Sequence, residues 1–418
     1  MNDFQYQNKQ LFCEDVPIQR IAEAVGTPFY AYSHKTLVRH FRVFDGAFKD
    51  LPHLTCFAVK ANSNLAILRL FVEEGGGVDI VSGGELYRAL QAGVDPRKIV
   101  YSGVGKKVEE IEYALSTGIL MFNVESSQEL EAISACAERM GKTAGIALRI
   151  NPDVDAQTHP HISTGLKENK FGINIEKSLE EYRRARSLKN IDVMGVSCHI
   201  GSQITRTLPF IDAFQRLKML LSQLQSEGFH IRYLDLGGGL GITYKDETPP
   251  HPVEYAQALM ELSRDISCTF IFEPGRVLVG NAGALITKVL YRKNVEHKAF
   301  VIVDAGMNDL IRPSLYDSYH RIMPVVEGDQ TEITADVVGP ICESGDFLAK
   351  KRTMADVAQG DLIAVMSAGA YGFAMSSNYN SRPRVAEVLV RDDQFYVVRK
   401  RETYADLVRG EVIPEFHS

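Results

Sequence analysis

Phe57-Ala58-Val59-Lys60-Ala61-Asn62 carries a strand-forming apolar run into a lysine, and the polar residues Asn62, Ser63 and Asn64 follow before the next apolar periodic segment. The run places an ammonium group at the mouth of a core. Taken alone, such a lysine either snorkels from a strand end into water or serves as a Schiff-base nucleophile toward an aldehyde, because a semi-buried amine loses proton affinity. The sequence on either side decides between the two.

From about 34 to 276, short β-branched apolar runs alternate with segments of helical period, the mark of parallel βα units. Strands are expected at 56–59, 78–81, 99–101, 121–124, 145–150, 194–198, 233–236 and 269–272. Helices are expected at 64–74, 84–92, 106–116, 127–140, 208–227 and 252–265, with Ser126 placed to start one and Gly118, Gly141 and Gly228 to stop others. Eight such strands close a barrel, so the pattern predicts an α/β protein with a (β/α)8 TIM barrel over 34–283. After about 283 longer β runs take over, at 285–291, 299–303, 332–338 and 361–366, with a hairpin of 385–390 and 395–398 around Asp392-Asp393. These predict an all-β, sandwich- or barrel-like C-terminal domain over 284–418. Residues 1–33 read as a short irregular start, a helix over 17–24 and a strand over 28–32.

The polar residues fall unevenly along the barrel pattern. Lys60, Ser82, Ser102, Glu125, Asn151, His199, Gly237 to Gly239, and Glu273 with Arg276 all stand just past strand ends, the rim where such barrels place their chemistry. The connection 152–172 is long for a loop without structure of its own, and reads as a lid, a binding element or a mobile surface loop.

Composition narrows the partners. The chain has 418 residues, 45% hydrophobic and 24% charged, with 46 Lys plus Arg against 53 Asp plus Glu and a net charge of -7. No basic field invites nucleic acid or an anionic membrane, so small molecules are the expected partners. The first residues lack a basic and apolar leader and no apolar run approaches the ~20 residues of a bilayer span, so a cytoplasmic protein is expected. The six cysteines are scattered without a CxxC pair and fit reduced thiols.

Four constellations carry chemistry. Gly237-Gly238-Gly239-Leu240-Gly241 after a strand is either a phosphate cradle or a tight turn, and Ile242 stands where a dinucleotide fingerprint needs glycine. Glu273-Pro274-Gly275-Arg276 closes the eighth strand, beside the place where barrels hold phosphate. Its carboxylate suits a protonated ring nitrogen of pyridoxal chemistry, or a structural pair with the arginine. His199 is structural or stacks its flat ring on a cofactor; no second and third ligands stand at a metal-binding spacing. Finally, Cys342 and Glu343 lie in a turn-rich segment as a possible proton donor and ammonium ligand, while Arg312 with Tyr316, and Tyr371, offer a carboxylate fork and two phenols.

Taken in order, 57–62, 79–85, 151–172, 198–203, 236–240, 273–276, 312–316, 342–346 and Tyr371 resemble the fold type III pyridoxal-phosphate-dependent decarboxylases, and among them the branch that acts on diaminopimelate. The resemblance implies that residues 1–33 join 284–418 in the β domain. It implies that Lys60 holds pyridoxal 5'-phosphate, with Asp79, His199, Ser202, Gly238, Gly239, Glu273, Gly275, Arg276 and Tyr371 around it. His199 would stack on the ring, Glu273 pair with its nitrogen, and Gly239, Gly275 and Arg276 bind the phosphate region. Arg276, Arg312, Tyr316, Glu343 and Tyr371 would bind substrate, and Cys342 would return the proton from the other subunit of a homodimer with shared active sites. The expected reaction is decarboxylation of meso-2,6-diaminopimelate to L-lysine and CO2, the last step of lysine biosynthesis. A sister decarboxylase for another basic amino acid, a racemase and a non-catalytic homologue are the alternatives.

Overall fold

The computed structural model describes residues 2–155, 170–296, 298–328 and 331–416. They form two compact units, one of residues 37–279 and one built from both ends of the chain, 1–36 with 280–418.

In the first unit eight parallel strands close on themselves: β1 His53–Ala58, β2 Gly77–Ile80, β3 Ile99–Tyr101, β4 Met121–Val124, β5 Ala144–Asn151, β6 Ile191–Ser197, β7 Tyr233–Asp235 and β8 Thr269–Phe272. β8 pairs with β1 through Phe272 and Thr55, and β4 pairs with β5 through Asn123 and Ala147, which completes the ring. Strands buried on both faces need apolar side chains at successive positions rather than at alternate ones. That is why β3, Ile-Val-Tyr, and the end of β1, Cys-Phe-Ala, carry no solvent-facing residue. Cys56, Val100, Met121, Ala147 and Ile271, from five different strands, pack into one buried cluster inside the barrel.

Local chemistry sets where the helices begin and end. Asn64, Ser82 and Ser126 each accept a backbone N–H at the start of Leu65–Glu73, Gly83–Gln91 and Ser127–Met140, caps worth about 1 kcal/mol each. Gly118 and Gly141 end Val108–Thr117 and Ser127–Met140 in the left-handed conformation. Two local differences from expectation stand out. Val59 does not extend β1 but starts a single 3-10 turn, Val59–Ala61, which carries Lys60 at its centre. An additional helix, Ser178–Ser187, precedes β6. Most of the long connection expected over 152–172 lies outside the described residues.

The second unit is mostly β. Its main sheet runs, in spatial order, Phe347–Ala355, Glu332–Val338, Lys298–Val303, Gly283–Val295, Phe29–Ser33, Ala386–Arg391 and Gln394–Arg399, with Leu362–Val365 paired to Gly283–Val295 and to Ile322–Pro324. The start of the chain is more regular than expected. Phe4–Gln7, Gln10–Cys13 and Val16–Pro17 form a three-stranded meander, because Asn8 and Lys9, both at positive φ, make a two-residue turn of the hairpin type. Phe4, Leu11, Cys13 and Val16 from this meander join Phe29, Ile286 and Val388 in one core. Among the described residues no helix is long and apolar enough to cross a membrane.

Candidate active site

Lys60 owes its position to the 3-10 turn that ends β1, and its partner comes from the neighbouring strand. Ala58 and Asp79 are register partners across β1 and β2, so an acid at the third residue of β2 reaches the amine two residues past Ala58. Lys60 Nζ donates to Asp79 Oδ2 at 2.7 Å. The lysine side chain is 36% exposed and the carboxylate 0%, so the amine is the half of the pair that a ligand can reach. Asp79 Oδ1, also buried, has no hydrogen-bond partner among the described residues. Next to them Glu85 accepts from Val81 N–H at 2.7 Å. Burial, with Asp79 adding to it, pushes this carboxyl up to about 7.

The ends of β6, β7 and β8 supply the rest of the rim. Gly237, with φ of +65°, and Gly239, with φ of +121°, adopt backbone that favours glycine. At Gly238 a Cβ would fall 2.2 Å from the Glu273 carbonyl oxygen, so only glycine lets these two strand ends approach. Gly238 N–H donates to His199 Nδ1 at 3.2 Å, which requires a lone pair on Nδ1 and therefore places any ring proton of the neutral imidazole on Nε2. Burial holds His199 well below the ordinary histidine value, and Arg149 and Lys60 push it the same way. Arg276, 5% exposed, donates through Nη2 to Ser202 Oγ at 2.9 Å and through Nη1 to the Tyr244 hydroxyl at 2.7 Å. Glu273 is buried, and burial together with Asp235 and Asp79 raises its carboxyl well above the ordinary value.

The other unit holds the remaining candidates. Arg312 opens the short helix Arg312–Tyr316, is 5% exposed, donates to Ser318 Oγ at 3.1 Å and lies 5.7 Å from the centre of the Tyr316 ring. Cys342 and Glu343 are exposed on a turn whose organiser is buried: Asp346 accepts from Met307 N–H at 2.7 Å and from Ile341 N–H at 2.6 Å. Ser314 ties the Arg312 helix to this turn by donating to the Gly345 carbonyl at 2.5 Å, and Cys342 N–H donates to Asn380 Oδ1 at 2.8 Å. Tyr371 takes φ of 55°, and Gly372 beside it packs so closely on Tyr30 that a Cβ would lie 2.8 Å from the phenol oxygen.

The family model described as pyridoxal-dependent decarboxylase, pyridoxal binding domain, matches residues 34–280. The diaminopimelate decarboxylase of Vibrio cholerae is 54% identical over 418 residues, covering 99% of this chain and 100% of its own. This chain belongs to the diaminopimelate decarboxylase family. Solved structures agree: the diaminopimelate decarboxylase of Helicobacter pylori complexed with L-lysine superposes with a TM-score of 0.91 at 44% identity, over 94% of this chain and 98% of that one. The enzyme from M. jannaschii in complex with L-lysine gives a TM-score of 0.94 at 38% identity, over 99% of both chains.

The rim fits pyridoxal phosphate, the cofactor of this family. It presents a reachable amine beside a buried acid with one oxygen unpartnered among the described residues, a buried carboxyl that burial raises well above its ordinary value, a flat imidazole that burial holds well below its own, and a glycine cradle beside a guanidinium. Lys60, Asp79, His199, Ser202, Gly238, Gly239, Glu273, Gly275 and Arg276 all belong to the barrel unit, at or beside the C-terminal ends of β1, β2, β6, β7 and β8, whereas Arg312, Tyr316, Cys342, Glu343 and Tyr371 belong to the other unit. Sequence reasoning passed over Tyr244, Asn123 and Asp235. Tyr244 follows the glycines in a loop with no pattern to mark it. Asn123 and Asp235 sit inside strand runs, and the available signal was a polar residue in a segment expected to be buried on both faces.

Proposed function

We propose that this chain decarboxylates meso-2,6-diaminopimelate to L-lysine and CO2. The observation that carries the reading is the half-exposed Lys60 amine at the mouth of a closed barrel, ion-paired to the fully buried Asp79, in a chain of this family. Lys60 is the attachment point for the cofactor aldehyde, and Asp79 orients the amine. Once bound, pyridoxal phosphate supplies a ring that accepts the electrons left by departing CO2.

The protein's own groups do the rest. Gly238, Gly239 and Gly275 let backbone approach the phosphate, and Arg276, braced by Ser202 and Tyr244, supplies its counter-charge. His199 offers the face of a neutral ring for stacking. Glu273 holds a proton at the place where the ring nitrogen needs one. Arg312, Tyr316 and Glu343, with Arg276 and Tyr371, hold the charged groups of an amino acid substrate, and a ligand lacking the distal pair would leave them unsatisfied. As the bond from the α carbon to its carboxylate breaks and CO2 leaves, the Cys342 thiol delivers a proton to that carbon. We infer that the working form is a homodimer in which Cys342 and Glu343 serve the partner's site. Their exposure on a braced turn supports this, since it leaves them available to a second copy.

The test is CO2 release by the purified protein with added pyridoxal phosphate, comparing meso-diaminopimelate with ornithine, arginine and lysine. Release from diaminopimelate alone is expected. Release from one of the others would overturn the assignment of Arg312, Tyr316 and Glu343.

A further inference from the structure

Asp235 ends β7 and Glu273 directly follows the neighbouring β8, and both are buried, at 0% and 7% exposure. One nitrogen serves both acids. Asn123 Nδ2, from β4, lies 2.8 Å from Asp235 Oδ2 and 3.2 Å from Glu273 Oε1, and also 3.1 Å from Ser102 Oγ. It has two protons for three acceptors. Gly237 N–H donates to Asp235 Oδ1 at 2.9 Å, and Ser102 Oγ–H stands 3.4 Å from Glu273 Oε1. Among the described residues neither acid has an ion-pair partner, and the Asn123 carbonyl oxygen, buried beside them, has no hydrogen-bond partner.

Two carboxylates that share a donor in a buried site, neither with an ion-pair partner of its own among the described residues, cannot both ionise cheaply, even with Lys60 near enough to lower Glu273. One proton between them supplies the missing donor and removes one of the two charges. The electrostatics agree: burial first raises both acids, Asp235 to about 6 and Glu273 well above its ordinary value, with Asp79 adding to each. The other titratable groups that act on the pair, or feel it, are Lys60 with Asp79, the thiols Cys56 and Cys198, and the Tyr255 phenol. Burial pushes the last three up, so they are neutral at pH 7.

We propose that Asp235 is a positioning residue that holds one proton jointly with Glu273, across the Asn123 carboxamide, and so fixes the Glu273 carboxyl for a heterocyclic nitrogen. The proposal rests on the reading that Glu273 faces the ring nitrogen of the cofactor. When that ring binds, the O–H bond of the pair would break: its proton would become the ring N–H where the nitrogen arrives bare, and would pass to solvent where the nitrogen arrives already protonated. Asp235 never touches the ring; it acts through Glu273.

Infrared spectroscopy of the cofactor-free, full-length protein at pH 7 tests this. The wild type is expected to show, beside any contribution from Glu85, a protonated carboxyl carbonyl component that is lost in Glu273→Gln and also in Asp235→Asn, and that disappears when pyridoxal phosphate is added; Glu85→Gln removes the other contribution and leaves this component in place. A band of wild-type intensity in Asp235→Asn, or no such band in the wild type, would overturn the proposal. Asn123→Ala keeps both acids and withdraws the shared donor; the band should shift, and an unshifted band counts against the proposal even if Asp235→Asn fails to fold. The visible spectrum of bound cofactor against pH separates the underlying reading. If Glu273→Gln loses the infrared band but keeps the wild-type pH profile of the cofactor, the ring-nitrogen assignment fails while the shared proton stands.

Discussion

Lys60 Nζ and Asp79 Oδ2 stand 2.7 Å apart, and the carboxylate half of the pair has no exposed surface. A buried anion with a single half-exposed cation is the most one-sided arrangement on the barrel rim, since removing either partner strands the other differently.

Asp79→Ala removes the buried charge and leaves an amine that can turn to water. Stability should fall by about 1–3 kcal/mol, less than for a fully buried pair because Lys60 is partly solvated. Lys60→Ala instead leaves a buried carboxylate with no counter-charge, and should destabilise the cofactor-free protein more than Asp79→Ala does. Denaturant unfolding of the two variants checks the order.

Lys60→Ala should also remove both CO2 release and the absorbance that marks lysine-bound cofactor. Cys342→Ala should keep that absorbance while kcat falls by about 100-fold or more. Mixing the two inactive variants should restore part of the activity if Cys342 serves the partner's site, since a mixed dimer contains one site with both Lys60 and Cys342. No recovery after subunit exchange would assign Cys342 to its own chain's site.

Gly238→Ala sets a methyl group 2.2 Å from the backbone oxygen of Glu273, and backbone at two paired strand ends cannot step aside. We expect cofactor affinity to fall by about 10-fold or more and stability by roughly 1–3 kcal/mol. Titration with pyridoxal phosphate and thermal unfolding both read it.

Glu85 sets a pH dependence of stability. Its folded value, about 7, lies above the ordinary 4.5, so its contribution is fully present below pH 4.5 and is lost as pH rises through about 7. Glu85→Gln keeps a neutral side chain able to accept the Val81 N–H and removes that loss. The variant should gain on the wild type between pH 4 and pH 8, by on the order of 1 kcal/mol; a constant difference across this range would refute the assignment.

What the sequence made legible follows from how each element is buried. Barrel strands such as 99–101, 121–124 and 269–272 are buried on both faces, so their apolar runs mark them to the residue. Ser178–Ser187, Ser-Leu-Glu-Glu-Tyr-Arg-Arg-Ala-Arg-Ser, buries only Ser178, Tyr182 and Ala185, too little to draw an apolar stripe. Phe347–Ala355 carries Lys350, Lys351 and Arg352 in its middle because it ends the sheet path, where one side needs no partner strand. Within the site, glycines and charges at strand ends announced the rim. Asp235 and Asn123 stayed hidden because their meaning lies in a contact between residues 112 positions apart in the chain.

The strand Phe29–Ser33 lies between Gly283–Val295 and Ala386–Arg391 in its sheet. A ribosome therefore releases it some 250 residues before either neighbour exists, while every strand of the barrel has already been made by residue 272. The barrel can close co-translationally, but Phe29–Ser33 must wait with both edges bare until Gly283–Val295 is made, and with one edge bare until Ala386–Arg391 follows, near the end of the polypeptide. Nascent chains stalled or truncated before 386 would expose that edge, which makes the last thirty-odd residues a quality checkpoint for newly made protein.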